Sequence, residues 1–305
     1  MAKYSIERLS LSNIKHLQTL YRAAFERNIS LNVLIKKYNT KVFGVEFIGY
    51  LAMANDSPAA FYGVLPCHFQ LKGERILAAQ SGDTMTHPDH RRESLFLRLA
   101  TETYSLAKKN NIQFIFGFPN QNSFRGLVKL NWEFQQANMK LFRFHGNLVP
   151  FAKILIKVPF IYDLYTSFFR GQTIPRNINA ALYQSSDGVR KDRLFIDYKT
   201  YSENYFIRID GALVWIKLNG SLKVGFAAAE EISTQGSFIK KLRRIAILCG
   251  CREVIYMTSI NTPLYKMLSQ YAKPEDSFPI GFYRLTDRAF DFSNVQFEYC
   301  DIDIF

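Results

Sequence analysis

Residues 84–100 read TMTHPDHRRESLFLRLA, and residues 117–132 read GFPNQNSFRGLVKLNW. The first run begins as an extended strand that leaves its sheet at His87-Pro88, because proline cannot donate to a ladder. A tight basic turn follows, and the apolar positions Leu95, Leu97, Leu99 and Ala100 then open a helix near Ser94. The mouth of such a helix presents backbone N–H groups with no partner inside it, and its dipole adds partial positive charge. A diphosphate suits that place, and Arg91 and Arg92 add charge-assisted contacts to it.

HPDHRRESLF, residues 87–96, resembles the pyrophosphate loop of the GNAT superfamily of acyl-CoA N-acyltransferases, whose pattern is R/Q-x-x-G-x-G/A. Arg91 holds the first position, Ser94 stands where the first glycine falls, and Phe96 stands for the second. GFPNQNS and the closing Asn131-Trp132 resemble the bacterial subset found with surface-polysaccharide and amino-sugar genes. The resemblance implies an α/β fold, an α+β mixed sheet flanked by helices, and direct acyl transfer from acetyl-CoA or another acyl-CoA to a primary amine. It implies that Met85 and Thr86 pair with the pantetheine arm. Amides of Arg91, Arg92, Glu93, Ser94, Leu95 and Phe96 would hold the diphosphate, and Asn120 and Asn122 would contact the rest of the cofactor. By the spacing between Asn120 and Asn131, the family's thiolate-protonating tyrosine falls on Leu127, and no tyrosine lies nearby in sequence. Ser94 acts in two directions: its Cβ narrows the backbone's approach to phosphate, while its hydroxyl offers a donor.

The chain has 305 residues, which favours two domains of about 150. Periodicity predicts strands at 4–9, 46–54, 59–71, 75–86, 113–118 and 134–144. Helices are expected from Ser12 or Asn13 to about Arg27, and at 31–38, 95–109 and 121–130. A weaker repeat follows, with strands at 205–209, 212–218, 222–229, 253–258 and 280–285 and helices at 236–250 and 262–270. The distance from Phe96 to Asn120 nearly equals that from Phe238 to Asn261, which points to an internal duplication. The second copy has EEISTQGS where the first has HPDHRRES, and so lacks the basic loop. The expected layout is a GNAT acyl-CoA-binding domain over 1–148, an apolar helical connector over 149–180, and a degenerate GNAT-like domain over 181–305. Two tandem GNAT-like domains result, the second without a nucleotide site.

The net charge of +13 favours an anionic partner, and a CoA thioester is one. Nucleic acid is not expected, since the basic residues are dispersed and no recognised motif accompanies them. Residues 148–169, LVPFAKILIKVPFIYDLYTSFF, are the most apolar stretch and offer a weak membrane-surface contact, although Pro159 would break a helix there. No signal peptide is evident, and Cys67, Cys249, Cys251 and Cys300 form neither a zinc spacing nor a disulfide ladder. A cytoplasmic setting, peripheral to the inner membrane at most, is expected. No metal is expected, because Pro88 argues against a helix that would bring His87 and His90 together.

Asp83 lies two residues before Met85, shares its strand face by simple alternation, and is the leading candidate base, ahead of Glu46 and Glu133. The terminus CDIDIF is too apolar to fray. Some tandem-GNAT aminoglycoside acetyltransferases deliver a terminal aromatic carboxylate into the active site, and that likeness makes Asp301, Asp303 and the Phe305 carboxylate further candidates. The acceptor implied is a small-molecule or sugar amine in surface-polysaccharide assembly. The alternatives are an aminoacyl-tRNA-dependent peptidoglycan-bridge transferase and a non-catalytic CoA- or ligand-binding protein.

Overall fold

The computed structural model describes residues 3–147, 151–152, 158, 160, 173–174, 186–232 and 234–305. In chain order the first half runs β1 (Ser5–Arg8), α1 (His16–Phe25), α2 (Leu31–Tyr38), β2 (Gly49–Ala54), β3 (Ser57–Leu71), β4 (Glu74–Thr86), α3 (Leu95–Lys109), β5 (Phe114–Gly117), α4 (Gln121–Lys129), β6 (Glu133–Phe134) and β7 (Lys140–His145). The second half runs β8 (Gly188–Val189), α5 (Arg193–Tyr198), β9 (Tyr205–Ile209), β10 (Ala212–Leu218), β11 (Leu222–Ala227), α6 (Gln235–Leu248), β12 (Glu253–Thr258), α7 (Pro263–Leu268), β13 (Glu275–Asp276) and β14 (Gly281–Arg284). The connector expected over 149–180 lies almost entirely outside the described residues. Among the described residues no helix is long and apolar enough to cross a membrane.

Local chemistry sets the boundaries. The β2–β3 turn uses Asn55 and Asp56, both at positive φ, and the β3–β4 turn uses Lys72 and Gly73 likewise. Such turns carry the twist of the flanking strands. Ser30 caps α2 by accepting from the Val33 amide, and Asp192 caps α5 by accepting from Phe195. Helix α1 begins at His16, later than expected. The Asn13 side chain is spent on the Ser10 amide and the Arg8 carbonyl instead of on a cap.

The described residues form two compact units, and neither is a single stretch. One draws on residues up to 136, 187–201 and 279–293; the other draws on 137–186, 202–278 and 294–305. The first unit holds a sheet of order β1-β2-β3-β4-β5-β14-β6, with β8 on β3. Its one face carries a core of Tyr62, Val64, Leu95, Leu99, Tyr104, Ile115, Leu127 and Trp132 under α3. The other face carries Leu17, Leu20, Leu34, Tyr38, Phe61, Leu65 and Met85 under α1 and α2.

The second unit holds a sheet of order β13-β7-β12-β11-β10-β9. It repeats the logic of the first. In each sheet a meander runs into a parallel pair, β4 with β5 and β11 with β12, and a helix links the pair. An antiparallel strand then flanks the second member.

That flanking strand is exchanged. β7 follows the first parallel pair in sequence yet lies beside β12, while β14 follows the second pair yet lies between β5 and β6. The strand expected over 134–144 is therefore two strands in different sheets. The contiguous layout of 1–148 and 181–305 differs from the observed units for the same reason. Both sheets offer a like edge, and alternation in a strand does not say which edge it joins.

Candidate active site

β4 reaches Thr86, but its pairing with β5 ends at Ser81 opposite Gly117. From Gly82 to Thr86 one edge of β4 therefore faces no described strand, and an extended ligand can add there by main-chain bonding. A bulge lies in the same stretch: β3 and β4 pair at Gly63 with Gly82 and again at Phe61 with Met85, so β4 carries one extra residue. Asp83 takes the left-handed conformation there, with φ 49°.

The bulge corrects the expectation for Asp83. Its carboxylate does not share a simple strand face with Met85, because the extra residue breaks the alternation. Lys37 Nζ lies 2.6 Å from Asp83 Oδ2, and Tyr38 donates its hydroxyl to the same oxygen at 3.0 Å. Both charged side chains are buried, at 6% and 7% exposure. Burial and then the Asp83 charge hold the Tyr38 hydroxyl well above its ordinary pKa, so it remains a donor. Asp83 is thus an anchored carboxylate that pins the bulge to α2. Of the other two candidates, Glu133 is ion-paired with Arg284, and Glu46 is half-buried before β2.

Beyond Thr86 the loop turns through residues 88–90 and reaches α3. Arg91, Arg92, Glu93 and Ser94 are exposed. Arg92 and Ser94 both take positive φ, 67° and 55°, and the Ser94 side chain makes no capping bond. The glycine of the family pattern thus corresponds to a position whose backbone favours glycine. The first amide bonded back into the helix is Arg98, to the Ser94 carbonyl. Among the described residues, the amides of Arg92, Glu93, Ser94, Leu95, Phe96 and Leu97 have no acceptor. Six consecutive donors at a helix mouth, with the Arg91 and Arg92 side chains at the start of the run, form an anion cradle. Glu93 contributes through its backbone, since its carboxylate pairs with Lys3 at 2.5 Å.

Phe96, bulky where the family has a small residue, is accommodated by its neighbours. Its ring lies where a Cβ on Gly126 of α4 would sit, 2.5 Å away, and packs edge-on to Tyr62. Asn120 caps α4 by accepting from the Asn122 and Ser123 amides; both asparagines are exposed. Leu127 is buried in the core under α3. The expectation that no tyrosine lies nearby holds only in sequence, since that core also contains Tyr62 and Tyr104. Tyr62 bonds to Ser81 and to Tyr104, each at 2.9 Å, and Trp132 donates to Tyr104 at 2.8 Å. Sequence reasoning missed this group, because its members come from β3, β4, α3 and the residue before β6.

The second unit has the same bulge and closes the equivalent place. β11 pairs with β12 only as far as Val224 opposite Tyr256, and its extra residue is Gly225. The Phe305 ring lies directly on Gly225, where a Cβ would meet it at 2.3 Å, and packs edge-on against Trp215. Ser202 donates to the Phe305 carbonyl oxygen. Asp301 is buried and accepts from the Glu298 amide at 2.7 Å. Phe305 and Asp303 therefore belong to the second unit, and Phe305 is a packing residue there. The loop at Arg91–Phe96 belongs to the first unit.

With this geometry in view, residues 5–134 match the family model described as acetyltransferase (GNAT) domain. No curated protein sequence matches the chain. Among solved structures, the fold is similar to a GCN5-related N-acetyltransferase from Kribbella flavida, at 10% identity and TM-score 0.57, covering 92% of this chain and 71% of that one. It is similar also to a GCN5-related N-acetyltransferase from Anabaena variabilis, at 11% and 0.57, covering 93% and 73%. A structure from Pyrococcus horikoshii matches at 8% and 0.57 over 99% of this chain and 95% of its own. The chain is a mixed α/β protein in which residues 5–134 match a GNAT acetyltransferase domain. Its two sheets are compatible with a tandem GNAT-like arrangement.

Proposed function

We propose that the chain is an acyl-CoA-dependent N-acyltransferase of the cytoplasm. It moves an acetyl or other acyl group to a primary amine, with an amino sugar of surface-polysaccharide assembly as the acceptor. The observation that carries this reading is the run of six amides, Arg92 to Leu97, without an acceptor among the described residues, beside the β4 edge that faces no described strand. A diphosphate satisfies those donors, and an extended amide-bearing arm satisfies the main chain at Met85 and Thr86. The single set of residues thus fits a nucleotide carrying a pantetheine.

The roles follow. Arg91 and Arg92 add charge-assisted bonds to the diphosphate, and Ser94 offers its hydroxyl beside the amides. Asn120 and Asn122 border the arm from the start of α4. Asp83, tied to Lys37 and Tyr38, holds the bulge that aims β4 at the thioester. Positioning the two reactants supplies the main rate effect. The acceptor assignment rests on the resemblance of residues 87–96 and 117–132 to polysaccharide-associated relatives.

Titration calorimetry with CoA tests the reading. Arg91→Ala with Arg92→Ala is expected to weaken binding by about tenfold or more. CoA in excess should raise the melting temperature of the unaltered protein. An affinity untouched by the double substitution would remove the loop from the site.

A further inference from the structure

From the hydrogen-bond chain at the foot of the open β4 edge, we infer that the Ser81 hydroxyl is the donor to the departing sulfur of the thioester. This assignment rests on the proposed acyl-CoA reading and names the side chain that serves the leaving group at that site.

The direction of the chain is fixed by its far end. An indole N–H can only donate, so the Tyr104 oxygen accepts from Trp132. Tyr104 has one proton, and its remaining described partner is the Tyr62 oxygen, so that proton points to Tyr62. Tyr62 in turn directs its proton to Ser81 Oγ, since the Tyr104 proton already occupies the other side. Three bonds of 2.8–2.9 Å then run one way, from Trp132 to Ser81. The last proton, on Ser81, has no described acceptor.

Three features hold this arrangement. Tyr62 is fully buried, and burial pushes its pKa up to about 12, so the phenol keeps its proton. Tyr104 is pushed up by burial as well. Trp132 lies over Gly117, where an added Cβ would sit 3.3 Å from both the indole and Ser81 Cβ. Glycine there lets the indole close over the end of β5 and reach Tyr104. Chains of hydrogen bonds polarise one another, so an outward donor at the end of three is stronger than an isolated serine.

The place is chemically specific. Ser81 is the last residue of β4 paired to β5, and it is half-buried, not sealed. An arm that runs from the α3 mouth along the open edge through Thr86 and Met85 brings its end to Ser81. As the amine nitrogen bonds to the acyl carbon, the carbon–sulfur bond breaks and its electron pair stays on sulfur. The proton shed by nitrogen reaches sulfur through solvent. Ser81 keeps its own proton and donates a hydrogen bond while the charge is on sulfur. Leu127 cannot do this, being a buried hydrocarbon.

The test uses the full chain and CoA itself, so it needs no knowledge of the acceptor. The thiolate absorbance of bound CoA, followed against pH, gives the pKa of the bound thiol. In the unaltered protein that pKa should lie below the value for free CoA. Ser81→Ala should raise it by about one to two units with the CoA affinity near neutral pH held. Ser81→Thr, which keeps the hydroxyl, should leave it in place. Tyr62→Phe and Trp132→Phe should each raise it by less, because the serine proton is then no longer directed. A bound-thiol pKa that is unmoved by Ser81→Ala overturns the inference while leaving CoA binding intact. Should Ser81→Ala fail to fold, an unmoved value in Tyr62→Phe overturns it equally. If the unaltered protein binds no CoA, the acyl-CoA reading and this inference fall together.

Discussion

Ser94 shows how far one residue's chemistry can be read. The loop motif places it where its relatives carry glycine, and the structure finds a left-handed backbone at that residue. A left-handed non-glycine residue costs about 1–2 kcal/mol, part of which glycine returns through its freer unfolded chain. Ser94→Gly is therefore expected to stabilise the protein by roughly 0.5–1 kcal/mol, seen as a melting temperature about 1–3 °C higher. A lower melting temperature would mean that the hydroxyl has a partner worth more than the strain. Tyr62 allows a second expectation at this scale. Its folded pKa of about 12 exceeds the unfolded value of about 10. Its contribution is complete below pH 10 and is lost as pH rises through 12, so alkaline stability should fall over that window. Urea unfolding should show a shallower decline in Tyr62→Phe over the same window. The loop residues were legible in sequence because a motif fixes their spacing. The Tyr62, Tyr104 and Ser81 group was not, since its contacts join positions far apart in the chain.

At the scale of elements, α2 and α3 fall where periodicity put them, at Leu31–Tyr38 and Leu95–Lys109. The β4 bulge was not readable. Alternation assumes one residue per step, and the extra residue between Gly82 and Met85 turns Asp83 onto Lys37 and Tyr38. Because that ion pair is buried, losing one partner leaves an uncompensated charge. Lys37→Met is expected to destabilise the protein by about 3–5 kcal/mol, measured by urea unfolding. Lys37→Met combined with Asp83→Asn should cost clearly less, since no charge is then stranded. Equal costs would show that the pair matters through its packing and not its charge. In the second sheet the same bulge carries Gly225, and the glycine is there for the Phe305 ring. The apolar tail was legible as a buried segment; the surface it covers was not, because only the repeated bulge identifies it.

The whole molecule contains a feature that no local pattern announces. Its sheets trade their flanking strands, so β5 and β6 meet only through β14. A chain ending at residue 148 lacks Gly281–Arg284 and leaves the β5 edge bare. Such a chain is expected to aggregate or to remain without a cooperative melt by circular dichroism, although it contains the whole family match. A sharp, reversible melt from that fragment would show that β14 is dispensable.

The exchange also bears on synthesis. A ribosome adds about 5–20 residues per second, so Gly281 is made roughly ten to thirty seconds after Gly117. Throughout that interval the phenylalanine-bearing strand Phe114–Gly117 has been made, but the neighbour it will pair with has not. The N-terminal half cannot close as it emerges, and it waits with an adhesive edge open. Only once Gly281–Arg284 has been made can β14 pair with β5 and cover that edge.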